Sequence, residues 1–344
     1  MGGTGRHLHP DFGESGEAMP YGIPYTVVSS SHQKVTVDFQ YADESDAGPY
    51  PFGPDTPIEG GSDRHAIMID KSTCTLYELY AANYSSGGST AGSGAIWNLR
   101  SNKLRPAGWT SADAAGLPIF AGLVRLDEVK AGKVDHAIRV TASATDRTYL
   151  WPARHQAGAA RNANLPPMGA RFRLKRGFST SGFRSDTRVI LAAMKRYGMI
   201  VADNGSDWFF TGTAEHGWSN DLLDELKSIP AGAFEAVDES SLMADRNSGR
   251  VRSTGAVAAK PKPKPAAAPK PTSTSTPARP SATPTPTPSA TPTPSQTATA
   301  SPSPRAAAPV PKEGGRSWIV IAAAAGAVLS GLFLARRRSM RPRA

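Results

Sequence analysis

The chain has 344 residues and a formal net charge of +10, a balance that suggests a nucleic-acid binder until the charge is divided along the chain. Residues 1–245 carry 23 Lys+Arg against 28 Asp+Glu and residues 246–344 carry 16 against 1, so the first part is near −5 and the tail near +15. Phosphate affinity needs clustered positive charge, which speaks against nucleic acid as a partner of the first part. The one cysteine, Cys74, excludes an intrachain disulfide, and without CxxC spacing or a Cys/His cluster no structural zinc site is expected.

In chain order, residues 1–15 (MGGTGRHLHPDFGES) lack the basic and apolar blocks of a signal peptide. Either the natural start lies upstream, which is the expectation here, or the protein is tail-anchored with its domain in the cytoplasm. Residues 26–39 read as two short strands or one long bent one. Residues 65–70 (HAIMID) and 75–81 (TLYELYA) alternate and predict a hairpin across DKST. Residues 136–142, 148–151 and 170–175 predict further strands. Ser111 in SADAAGLPIFAGL is expected to cap a helix, since neither a GxSxG elbow nor a phosphate loop surrounds it.

Ser185 predicts the start of a helix that carries Val189, Ile190, Ala193, Met194 and Tyr197 on one face and stops at Gly198. MIVA, DNGS and DWFFT then predict an Asn-Gly hairpin over residues 199–211. A second helix is expected over residues 220–229, capped by Ser219 or Asn220. The expected fold is α+β: a single domain over residues 1–245, rich in antiparallel β-sheet with two late helices.

Composition changes beyond that point. Residues 246–317 form a Pro/Thr/Ser/Ala-rich tract that favours extended polyproline II and predicts a disordered stalk. Some sixty such residues at about 3.1 Å each reach on the order of 180 Å. Residues 318–335 (WIVIAAAAGAVLSGLFLA) hold no charge and make a helix of about 27 Å, long enough to span a bilayer, so the membrane is an expected partner. Five arginines within residues 336–344 place that basic tail in the cytoplasm and the domain outside.

The order of stalk, helix and basic tail resembles wall-sorted Gram-positive surface proteins. The stretch APVPKEGGRS has no LPxTG-type pentapeptide, so simple membrane anchoring is expected instead. The phrases LHPDFG, YGIPYTVV, DRHAIMID, LYELYAA, LRPAGWTSADAAGLPI, WPARHQAG and MKRYGMIVADNGSDWFFTG resemble a family of secreted bacterial proteins of unknown function, over nearly all of residues 8–243. The resemblance implies export and brings no activity and no catalytic residue.

The candidate catalytic residues are His65, Glu78, His136 and His155. His65 and Glu78 sit on otherwise apolar strand faces, and a register with Ile69 opposite Cys74 would bring them together as an acid/base or a structural pair. His136 begins HAIRV as His65 begins HAIMI, which is either a decayed repeat or chance, and His155 could complete a histidine set. Candidate ligand-binding residues are Asp203, Asn204 and Asp207 of DNGSD, or else a plain turn, with Trp151 and Trp208 as indoles for sugar stacking, or else buried anchors. Glu78 with Asp127 is a candidate hydrolytic carboxylate pair. No motif fixes a metal, a cofactor or a reaction. Two functions are therefore expected as alternatives: a surface module that binds or processes cell-envelope or extracellular carbohydrate, with a glycan as ligand, or a non-catalytic structural or adhesive domain.

Overall fold

The computed structural model describes residues 5–15, 19–159 and 161–252, all within one compact unit, Met1–Pro263. In chain order the strands are β1 (His9–Asp11), β2 (Thr26–Val28), β3 (Val37–Phe39), β4 (Ala66–Asp70), β5 (Thr75–Tyr80), β6 (Ser89–Ala91) and β7 (Ser93–Asn98). They continue with β8 (Ile138–Ala142), β9 (Arg171–Leu174), β10 (Met199–Asn204), β11 (Phe209–Thr211), β12 (Phe234–Val237), β13 (Met243–Asp245) and β14 (Ser248–Val251). The α-helices are α1 (Leu126–Lys130), α2 (Ser185–Arg196) and α3 (Asn220–Lys227). The domain is thus rich in β-structure with few helices.

Two sheets organise it. One has six strands in the order β1-β11-β8-β10-β9-β12, and the other has four, β2-β4-β5-β7. Both are mixed, because β1/β11, β8/β10 and β2/β4 pair in parallel while the hairpin-like neighbours pair antiparallel. Period-two alternation turns Ile138, Val140 and Ala142 of β8 and Met199 and Val201 of β10 to one face. They are buried in one apolar cluster with Ile190, Leu191 and Met194 of α2 and Leu222, Leu223 and Leu226 of α3. The opposite face carries Arg139 and positions the polar groups described below.

The hairpin of β4 and β5 forms with a different register from the one expected. Ile69 lies opposite Leu76 and Ile67 opposite Glu78, because Asp70 holds a four-residue turn by accepting from Ser72 and Thr73 N–H groups and Cys74 takes φ +53°. The slide is two residues, so the faces are kept while the partners change. Cys74 is consequently half-buried in the turn.

The Asn-Gly hairpin over residues 199–211 does not form. β10 and β11 lie on either side of β8, and neither Asn204 nor Gly205 has the positive φ that a type I′ turn requires. The polar groups of the connection go to the end of β8 instead: Gly205 N–H donates to Ala142 O (3.1 Å) and Trp208 N–H to Thr141 O (3.3 Å). Thr141 Oγ1 donates to Ser206 O (2.6 Å).

Residues 148–151 contribute only an isolated bridge, Tyr149 to Met168. Ser111 caps no helix; its buried Oγ lies 2.6 Å from Leu117 O and accepts from Asp113 N–H, which closes a loop. The helix expected from Ser185 is present with Arg184 at its cap, and Ser219 caps α3 through Leu222 N–H.

The fold also continues past residue 245, through the hairpin of β13 and β14 to Arg252. Buried Arg154 fastens this hairpin by donating to Arg105 O (2.7 Å), Arg246 O (2.7 Å) and Asn247 Oδ1 (3.0 Å). Among the described residues no helix is long and apolar enough to cross a membrane. The expected span over 318–335, the basic tail and the stalk beyond 252 lie outside the described residues.

Candidate functional site

A row of polar side chains crosses the six-stranded sheet on the face away from α2 and α3. Arg139 of β8 is its centre. Its Nη1 donates to Thr211 Oγ1 on β11 (2.7 Å) and its Nη2 to Asp203 Oδ2 on β10 (2.9 Å). Strict alternation would put Asp203 on the same face as the core residue Val201. A β-bulge between them shifts the register, so that Val201 pairs with Val140 and Asp203 with Thr141, the next residue. The extra residue turns the carboxylate to the Arg139 side.

A loop completes the arrangement from above. Ala115 N–H donates to Ala202 O (2.8 Å), which ties the loop to β10. Gly116 turns it with φ +69°, where a Cβ would lie 2.4 Å from Trp109 O. Asp113 then meets Arg139 with both carboxylate oxygens, at 2.9 Å from Nε and 3.0 Å from Nη2. Such a bidentate pairing is the strongest form of carboxylate recognition open to a guanidinium. Burial works against the Arg139 charge, yet the Asp113 and Asp203 carboxylates outweigh it and hold the guanidinium protonated.

Asp203 faces an opening. The cleft has a volume of about 310 Å³ and is lined by Tyr41, Asp63, Tyr80, Asp113, Asp203 and Asn204, with Ser111 and Thr110 beside them. The Asp203 side chain keeps 21% of its surface exposed, against 1% for Asp113. Desolvation, then the charge of Asp113, raises the Asp203 pKa, while Arg139 and His65 pull it back. An accessible carboxyl group that holds its proton above the usual carboxylate range can donate it to a bound ligand.

The four candidate catalytic residues are not brought together. His65 is buried with Nδ1 on the Glu59 carboxylate and Nε2 3.2 Å from Ala112 O. Both ring nitrogens face oxygen acceptors, an arrangement that favours the protonated ring. Burial opposes that charge, and the Glu59 contact overcomes it and raises the pKa.

Glu78 is sealed in the core beneath the second sheet. It accepts from Trp97 Nε1 (3.0 Å), Ile119 N–H (3.1 Å) and Phe120 N–H (2.8 Å). Desolvation pushes its pKa up to about 7 against the pull of those donors. It meets neither His65 nor a cleft, and Asp127 is exposed on α1, so the hydrolytic pair proposed from these two carboxylates is not assembled.

His136 sits beside α1 with Nε2 3.1 Å from Glu128 Oε2, and its strand belongs to the other sheet from that of His65. His155 uses Nδ1 on Ala114 O (2.9 Å), with Nε2 3.9 Å from Glu44 Oε2.

Of the candidate ligand-binding residues, Asp203 and Asn204 line the cleft. Asp207 instead accepts from Ser143 N–H (2.7 Å) and pairs with Arg6. Trp208 is buried between Phe172 and Phe234, with ring centroids 5.4 and 5.2 Å away, and offers no face to a sugar. Trp151 is half-buried and spends its Nε1–H on Ser248 O (2.8 Å).

Sequence reasoning missed Tyr41, Asp63, Tyr80, Asp113 and Arg139. Two signals were available: an arginine on the alternating strand HAIRVTA, and an aspartate enclosed by alanines in SADAAG. A charge in such company is buried and must be paired. Among the described residues, no group of three His, Cys, Asp or Glu side chains is placed to hold a metal ion. Comparison with protein-family models, with curated proteins and with solved structures finds no match for this chain.

Proposed function

We propose that the protein is a surface-displayed module that binds and processes extracellular or cell-envelope glycan in the cleft between Asp63 and Asp203. The observation that carries this reading is the partly exposed Asp203 carboxyl group, backed by Arg139, at the wall of a cleft that also presents Tyr41, Tyr80 and Asp63. Aromatic faces with carboxylates are chemistry that recognises sugar rings and their hydroxyls.

In the hydrolytic form of this reading, Asp203 transfers its proton to the glycosidic oxygen as the bond from that oxygen to the anomeric carbon breaks. Asp63 takes a proton from the water whose oxygen joins that carbon. Arg139 and Asp113 act behind Asp203 as positioning residues, because they fix its carboxyl group and set its proton affinity.

Release of reducing ends from a panel of envelope and extracellular polysaccharides tests the reading. Asp203→Asn is expected to lower the rate by about 10²-fold or more with the melting temperature nearly unchanged. An unchanged rate would remove Asp203 as the acid. The composition of residues 246–344 supports anchorage through 318–335 with the domain outside the cell. Protease added to intact cells should then release the domain, and protection until lysis would overturn that topology.

His65, Glu78, His136 and His155 are best read as members of the framework, since each is separately satisfied. That favours a structural role for these four, as the non-catalytic alternative had it, while leaving the cleft as the place for chemistry.

A further inference from the structure

The lining of the cleft has a one-sided charge. Asp63, Asp113 and Asp203 contribute to it, as do the tyrosines 41 and 80, and no Lys, Arg or His does. Two positive groups behind the lining, Arg139 and His65, are already committed. Arg139 is held by Asp113, Asp203 and Thr211, and His65 by Glu59 and Ala112 O.

Several groups at the opening are also left without a full set of partners. Asp63 receives a hydrogen bond from its neighbour Ser62 (3.2 Å) and makes no ion pair among the described residues. The hydroxyls of Tyr41 and Tyr80 make no hydrogen bond among the described residues, and Tyr41 is 49% exposed. Acceptor oxygens beside aromatic faces suit a group with several N–H donors, a positive charge and no acceptor. A neutral sugar satisfies the hydroxyls but leaves the carboxylate charge uncompensated. An ammonium does both.

We infer that the glycan taken by this cleft carries free amino groups, as a de-N-acetylated 2-amino sugar does, with the ammonium seated among Asp63, Asp203, Tyr41 and Tyr80. This rests on the glycan-binding part of the reading above and narrows it to a ligand class. It also has a proton consequence. The groups facing the Asp203 carboxyl are Asp113 from the loop, Arg139 from β8, His65 from the start of β4, Tyr80 from β5 and the Asn204 N–H. An added ammonium shifts that balance toward the carboxylate, so an amino glycan expels a proton on binding and is held as a ligand without cleavage, whereas a neutral glycan leaves the Asp203 proton in place.

Titration calorimetry on the full-length protein in detergent, with oligomers of glucosamine, N-acetylglucosamine and glucose of equal length, tests this at mildly acidic pH. The glucosamine oligomer is expected to bind about tenfold tighter than either neutral one. The preference should weaken with added salt, and the binding enthalpy should change with buffer identity only for the amino oligomer. Asp63→Asn, at an exposed site that the fold does not depend on, should erase most of the preference, and Tyr41→Ala should reduce it. Equal binding of all three oligomers would overturn the amino-sugar inference and leave the glycan reading standing. Binding of none would overturn both.

Discussion

Glu78 and Arg139 are both buried ionisable groups on strands, yet their surroundings differ in kind. Around Glu78 three N–H donors converge on two oxygens and nothing opens to solvent. Around Arg139 the acceptors are also in place, but one of them, Asp203, stands with 21% of its side chain at a cleft. The first cluster ties Trp97 and the residue 119–120 backbone to the sheet. The second supports a group that can meet a ligand. A displaced pKa alone does not separate them, since both carboxyl groups are raised by desolvation. Access separates them.

That contrast can be broken from either side. The largest effect is expected from Arg139→Met, which leaves Asp113 in the interior without its counter-charge. Removal of one partner of a buried ion pair costs about 3–5 kcal/mol. Chemical denaturation should show a loss of that size, well above the loss for Asp203→Asn, whose carboxyl group reaches solvent. Equal losses would mean that Asp203 is as much a framework residue as Asp113.

A pH dependence of stability comes next. The Glu78 carboxyl group has its pKa pushed up to about 7 in the folded state by burial, against an ordinary glutamate value of 4.5. Between those limits the folded state therefore holds more protons than the unfolded one. Its contribution is fully present below the unfolded pKa and is lost as pH rises through the folded one, by on the order of 3 kcal/mol in all. Thermal unfolding followed across that window should show the decline, and Glu78→Gln should flatten it while lowering stability overall. A decline that persists unchanged in the variant would place its origin elsewhere.

The smallest effect belongs to the cleft itself. Asp63→Asn should change stability by less than about 0.5 kcal/mol, as surface substitutions usually do. If it does, any loss of ligand preference in that variant is a property of the site and not of the fold.

Much of the framework was legible because it rests on local periodicity. The alternation in HAIMID and TLYELYA marks β4 and β5, and the apolar stripe after Ser185 marks α2. Pairing was legible only where the turn between strands was short and ordinary. The four-residue turn capped by Asp70 moved the β4/β5 register by two. The insertion of β8 between β10 and β11 could not be read from DNGSD, because β8 lies more than fifty residues upstream.

The site was harder still. The motif DNGSD offers Asp203 as a ligand-binding candidate or a plain turn residue, but its place at the cleft comes from the bulge after Val201, which has no sequence signature. Asp113 and Arg139 were visible as charges in apolar company, and their mutual contact is a product of tertiary structure.

The hairpin of β13 and β14 has one more consequence, for a chain under tension. A pull applied beyond Arg252 runs along β14 and peels it from β13 rung by rung, beginning with the bond from Arg252 N–H to Leu242 O. Each rung breaks singly, so the hairpin yields at low force. The load then meets the bonds that tie Gly249 to Asn102 and Ser248 to Trp151 and, at Arg246 and Asn247, those by which Arg154 holds the turn against the loop at Arg105. A load from that side therefore meets this clasp before it reaches β8 and β10, which carry Arg139 and Asp203.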